Sequence, residues 1–127
     1  MSKLILVGMG GFIGAILRYV ISGLVQNLTH SIAFPYGTLL VNMLGCFLMG
    51  ICYHLVETQA GMTMEMRLLL MVGLLGSFTT YSTFSGETLQ LLQDQRLLAA
   101  LMNTVIHILI GLSAVWLGRL AIITIRG

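Results

Sequence analysis

Charge is scarce in this chain. Six basic and four acidic side chains account for 8 % of its 127 residues, against roughly a quarter in an ordinary soluble domain. These groups (Lys3, Arg18, Glu57, Glu65, Arg67, Glu87, Asp94, Arg96, Arg119 and Arg126) leave long apolar runs between them, so no water-facing surface can be covered. A soluble enzyme, a nucleic-acid-binding module and a secreted disulfide scaffold are excluded on that ground. The net charge of +2 is too small and too dispersed to call for a polyanionic partner. Cysteine is equally sparse. Cys46 and Cys52 lie six apart in one apolar run, which is neither a CxxC pair nor a metal spacing, and they read as small packing or lipid-facing side chains. Proline occurs once, at Pro35. The His, Cys and acidic residues are isolated along the chain, so no catalytic constellation argues for an enzyme. What is abundant is apolar side chain, 57 % of the residues, with a mean hydropathy of +1.00. That is the composition of a membrane protein.

A helical span needs roughly 20 apolar residues at 1.5 Å rise. Polar or turn-rich breaks divide the chain into four such segments, residues 4–25, 37–56, 67–92 and 97–125. The expectation is an all-α membrane protein, one four-helix transmembrane domain over residues 1–127 without an extramembrane domain. The first run is a full span without a small-residue cleavage site and is expected to be a retained helix. Lys3, Arg67, Arg126 and the nearby Arg119 fall on one side, Arg96 and the nearer Arg18 on the other. That bias favours a cytoplasmic amino terminus only weakly, and insertion in both orientations is physically open. Four helices make a thin wall, so a pathway for a polar solute calls for an oligomer. Gly10 with Gly14, Cys46 with Gly50 and Ala114 with Gly118 repeat a small-xxx-small spacing that lets helix backbones approach closely. The nine methionines are spread over all segments and read as filler rather than a soft-metal track.

One motif is discarded. Residues 4–14 read LILVGMGGFIG, like a strand entering a glycine-rich dinucleotide turn. After Gly8 and Gly10 the third glycine position holds Ile13, no acidic residue lies about 20 positions on, and no βαβ unit follows.

The third segment is the informative one. Residues 76–87 bring eight groups capable of hydrogen bonding to about the middle of a span, where an unsatisfied group costs several kcal/mol. Glycine, serine and two threonines together are poor helix formers. Two outcomes stand side by side: a break that frees carbonyls for cations and half-helix amino termini for anions, or a continuous helix whose hydroxyls bond back one turn. Thr80, Thr83 and Glu87 recur at i, i+3, i+7, a polar stripe with Phe84 and Tyr81 beside it. Glu87 sits either in the membrane as a functional group or near the headgroups. Asn42 lies about 7 to 8 Å inside the second segment by helical rise, as interhelical glue or as an anion-facing donor. Arg18, about two turns inside the first helix, either snorkels to the interface or lends positive potential to a vestibule. His107, near Asn103 and Thr104, reads as a packed polar residue or as one bordering a pathway, with packing favoured in the absence of a visible partner, and Ser113 similarly.

The whole pattern resembles the small bacterial fluoride channels of the Fluc (CrcB) family. The resemblance is carried by residues 10–15 with Arg18 and Tyr19, by residues 37–39 with Val41, Asn42 and Gly45, and by the run GxxGxxTTxSTF at residues 73–84 with Ser85 and Glu87. It implies an antiparallel, dual-topology homodimer of four-helix subunits, with the third helix broken at mid-membrane. Two fluoride pathways and a structural sodium ion on the carbonyls of Gly76 and Thr79 from both subunits belong to that implication, as does residence in the bacterial inner membrane. Tyr81 and Phe84 fall on its aromatic pore positions, Asn42 on its pore asparagine and Arg18 on its vestibule arginine. Ser82, Thr83 and Glu87 match the polar side of the track. Phenylalanine is usual in the family where this chain has Tyr81, which adds a hydroxyl beside the pathway.

The chemistry of such a lining suits fluoride. A small, strongly hydrated anion needs its water replaced by many modest donors, such as amide NH₂, hydroxyls and aromatic ring edges, without a fixed charge that would trap it. The expected function is passive, fluoride-selective export from the cytoplasm. A proton-coupled small multidrug exporter is the alternative, but it requires an acid deep in the first helix, where this chain has Arg18. An accessory membrane bundle without transport is the third reading.

Overall fold

The computed structural model describes residues 1–59 and 61–127. Each of the four apolar runs becomes a helical span, long and apolar enough to cross a membrane. Helix α1 covers Ser2–Thr29 and α2 covers Tyr36–Glu57. The third span, Met64–Gln93, is composite: a single turn α3 (Met64–Met66), a π-helix over Arg67–Leu75, a single turn α4 (Gly76–Phe78), and α5 (Tyr81–Gln93). Helix α6 is the longest, Leu97–Arg126.

The spans overrun the apolar runs because polar residues continue the helices past the hydrocarbon zone. In α1 these are Lys3 at one end and Gln26 and Asn27 at the other. The helix stops where His30 turns left-handed (φ 49°) and returns its N–H to the Asn27 carbonyl. Pro35, whose missing N–H is no loss at a helix start, opens α2. Thr63 caps the third span by accepting from the Met66 N–H at 3.2 Å.

Few side chains are buried within the single chain, chiefly Val41, Leu75, Phe78, Leu91 and Ala100, while large apolar residues such as Phe12, Leu98 and Leu112 point outward. That outward apolar surface is what a bilayer solvates. Inside, the helices touch through glycine. Gly10 and Gly14 lie against the backbone of the third span at Leu69 and Leu74, and Gly73 lies against Val7 and Gly10 in return. Gly50 meets the Val115 carbonyl and Gly118 meets the Phe47 carbonyl, which joins α2 to α6. These small-residue faces therefore find partners within the same chain. At the same end, Glu57 and Arg119 pair across α2 and α6 at 2.8 Å.

The connection after α1 is tied by one side chain. Gln26 donates to the carbonyls of Ser31 and Phe34 and accepts from the Gly37 N–H at 3.1 Å.

A methyl group added at Gly118 collides with backbone, whereas one added at Gly8 meets nothing within 4 Å. Gly118→Ala is expected to lower stability by about 1–3 kcal/mol, and Gly8→Ala to leave it unchanged or raise it by about 0.5–1 kcal/mol. Thermal unfolding in detergent, followed by Trp116 fluorescence, checks both.

Candidate functional site

The helical path of the third span stops at Phe78 and resumes at Tyr81. Between them Thr79 (φ −84°, ψ 154°) and Thr80 (φ −148°, ψ 117°) are extended. Hydroxyl back-bonding is present as well, Ser77 to Leu74 at 3.1 Å and Thr79 to Leu75 at 3.0 Å, yet it does not carry the helix through.

An interruption leaves orphan backbone groups, and two of them, the N–H groups of Thr80 and Thr83, find side-chain partners. Asn42, buried on α2, faces Thr80 with both ends of its amide. Its Oδ1 accepts from the Thr80 N–H at 2.8 Å, and its Nδ2 donates to the Thr80 carbonyl at 3.2 Å. A carboxamide is the side chain that mimics a peptide in this way. One Nδ2 proton remains for another acceptor. Thr80 then caps α5, its Oγ1 accepting from the Thr83 N–H at 3.2 Å while donating to Thr83 Oγ1 at 3.0 Å. Ser82 Oγ lies 3.4 Å from the same oxygen. Since the amides of Thr80 and Thr83 are directed at side chains, the carbonyls four residues before them, those of Gly76 and Thr79, are released from the helix ladder. Gly45 makes room for the interruption, its Cα facing the Thr79 methyl.

Beside the interruption runs a groove of about 340 Å³, lined by Asn42, Thr79, Thr80, Tyr81, Phe84 and His107 among others. The three rings form a ladder, with centroids 5.8 Å apart for Tyr81 and Phe84 and 4.3 Å for Phe84 and His107. Tyr81 is 80 % exposed in the single chain, and Gly76 and Ser82 are exposed too.

The polar stripe read from the sequence is divided. Glu87 belongs to a different cavity, about 380 Å³, at the end of the bundle near the α1–α2 connection, together with Gln26, Thr38, Gln90 and Asp94. There Thr38 donates to Glu87 Oε1 at 2.7 Å, while Oε2 is buried without a partner. Ser82 and Thr83 cluster on Thr80 and line neither cavity. Arg18 also stands apart from both, half-buried on α1 with Nε lacking a partner.

One participant escapes sequence reasoning. Thr38 gains its meaning only from Glu87, forty-nine positions away. His107 packs on Phe84 and also lines the groove, so the packing favoured from the sequence is only part of its place. Its spacing of four from Asn103 was the one available signal, since that places both on one face of α6. Among the described residues no group of three or more His, Cys, Asp or Glu side chains is placed to hold a metal.

Comparison with known proteins agrees with this architecture. The family model described as "CrcB-like protein, Camphor Resistance (CrcB)" matches residues 5–119. A fluoride-specific ion channel FluC 1 of Methanosarcina acetivorans is 47 % identical over 121 residues, 95 % of this chain and 91 % of that protein. FluC 3 of Methanosarcina barkeri is 43 % identical over 119 residues, covering 94 % and 89 %. A FluC of Shewanella baltica is 47 % identical over 119 residues, 94 % of each chain. With nearly the whole length matched, this four-span membrane chain belongs to the CrcB-like family.

Proposed function

We propose that the chain is a passive, fluoride-selective channel that lets the ion leave the cytoplasm, the role that the names of its relatives describe for those proteins. One observation carries the reading: the groove beside the interruption combines neutral donors with aromatic rings, and its described lining contains no lysine or arginine. Fluoride sheds water only where donors replace it. The free Nδ2 proton of Asn42 and the positive edges of the Tyr81 and Phe84 rings are such donors in the groove, and the Ser82 and Thr83 hydroxyls, clustered on Thr80 outside the single-chain groove, add to them. Each is weak enough for the ion to leave again. Arg18 supplies positive potential at a vestibule, and Glu87 with Thr38 stands at the mouth near the α1–α2 connection. An exporter coupled to protons finds no support, because α1 contains no acidic residue.

The site is completed by a second copy in this reading. Gly76, Tyr81 and Ser82 are exposed on the single chain, and polar groups at membrane depth cannot face lipid. Covering them with the same surface of an oppositely inserted copy gives an antiparallel, dual-topology homodimer with two pathways, the interruption lying at mid-membrane. The weak Lys/Arg bias is compatible with both insertions. Carbonyl oxygens are hard donors suited to an alkali cation, and those of Gly76 and Thr79 are freed from the ladder. A sodium ion bound to them supplies fixed positive charge that ties the two interrupted spans together. The bacterial inner membrane is the proposed location.

Efflux from proteoliposomes, read with a fluoride electrode, tests the function: fluoride is expected to leave far faster than chloride, and equal rates would overturn it. Phe84→Ala and Asn42→Ala are each expected to slow fluoride at least about tenfold. For Asn42 the loss strips the part-buried Thr80 N–H of its partner, at about 1–3 kcal/mol. Wild-type rates in both variants would refute the pathway assignment. For the cation, sodium but not choline is expected to raise the unfolding temperature of the detergent-solubilised dimer in a concentration-dependent way, by about 2.7 kcal/mol of added stability at one hundred times its dissociation constant.

A further inference from the structure

Between α5 and α6 a closed set of interactions begins and ends at Phe84. Thr88 Oγ1 donates to the Phe84 carbonyl at 2.8 Å. Asn103 Nδ2 donates to Thr88 Oγ1 at 2.9 Å. The Asn103 carbonyl lies 2.9 Å from His107 Nδ1, and the His107 imidazole packs on the Phe84 ring at 4.3 Å and 39°.

The protons in this circuit follow from donor chemistry. Thr88 has one hydroxyl proton and gives it to a carbonyl, so its oxygen must receive the next bond. That requires the nitrogen of the Asn103 amide, rather than its oxygen, to face Thr88. A carbonyl only accepts, so His107 Nδ1 carries a proton and donates it to the backbone carbonyl of Asn103. Nε2 and Asn103 Oδ1 are both buried without partners. Asn103 is 0 % exposed, and an amide in such a place is unfavourable relative to a packed apolar side chain unless its bonds matter. What it holds accounts for its presence.

We propose that Asn103 is a positioning residue for the ion pathway. Through Thr88 its side chain fixes the backbone of Phe84, while its backbone carbonyl holds the His107 imidazole that packs on the Phe84 ring. An aromatic ring presents a positive rim and a negative face. The angle at which it stands therefore decides whether a groove attracts or repels an anion. This inference rests on the reading of the groove as a fluoride pathway and adds the device that aims its ring.

The test uses full-length protein in proteoliposomes, measuring the fluoride efflux rate and the fluoride-to-chloride ratio together. Asn103→Leu and Thr88→Val are each expected to slow fluoride about tenfold, the effect of roughly one lost hydrogen bond on a barrier, and to lower the ratio. Thr88→Ser, which keeps the hydroxyl, is expected to recover most of the rate lost in Thr88→Val. Unchanged rate and ratio would overturn the proposal. So would a slower rate at an unchanged ratio, which is what a merely structural role predicts. If Asn103→Leu does not assemble, Thr88→Val decides, since it breaks the same link from a half-buried position. A wild-type protein with no preference for fluoride would remove the channel reading itself, and this proposal with it.

Discussion

In lipid no backbone amide can borrow a partner from solvent, and the third span of this protein is organised around that constraint. Two extended residues, Thr79 and Thr80, interrupt a helix in a chain with almost no charge to attract water. The interruption persists because Asn42 accepts from the Thr80 N–H, which has left the helix ladder, and donates to the Thr80 carbonyl as well. Thr80 in turn restarts the helix by capping it. Other close contacts in the neighbourhood serve this arrangement: Gly45 leaves space for the Thr79 methyl, and Ser77 anchors the preceding turn on the Gly11 carbonyl at 2.9 Å. Asn42 is thus a structural replacement for a peptide group, with one amide proton left over.

The same economy of charge shapes the groove. Hydroxyls, an amide and ring edges are weak hosts taken singly, and their number compensates for their weakness. The rings must be aimed, and a ring in a membrane protein has little polar matter around it from which to take direction. In the proposal above, the hydrogen-bonded circuit of Thr88, Asn103 and His107 supplies that direction where α5 meets α6. Polar groups that look like isolated curiosities along α6 become intelligible as one support.

Much of this was legible in the residue order, and the limits have physical causes. The four spans follow from apolar run length, which is a local property. The run of glycine, serine and threonine at residues 76–80 announces poor helix formation, and the small residues at Gly10, Gly14, Gly50 and Gly118 announce close crossings. Their partners were not legible, because spacing shows that a face is thin without showing what lies on it. Nothing in RLLLMVGLL marks the wide helical turn over Arg67–Leu75; those residues suit an ordinary α-helix equally well. The separation of Glu87 from Asn42, Tyr81 and Phe84 into two cavities depends on how α2 is rotated against α5, which no periodicity within either helix encodes. Thr38, Asn103 and His107 acquire roles only through residues distant in the chain.

The stitched connection after α1 has a mechanical consequence. A single glutamine engages Ser31, Phe34 and Gly37, and that glutamine also forms part of the wall around Glu87. The rim of this cavity is therefore framed like a window without a shutter, since the segment that would have to swing across it is fastened at three points. Connection and wall thus stand or fall together, because the amide that holds one is part of the other.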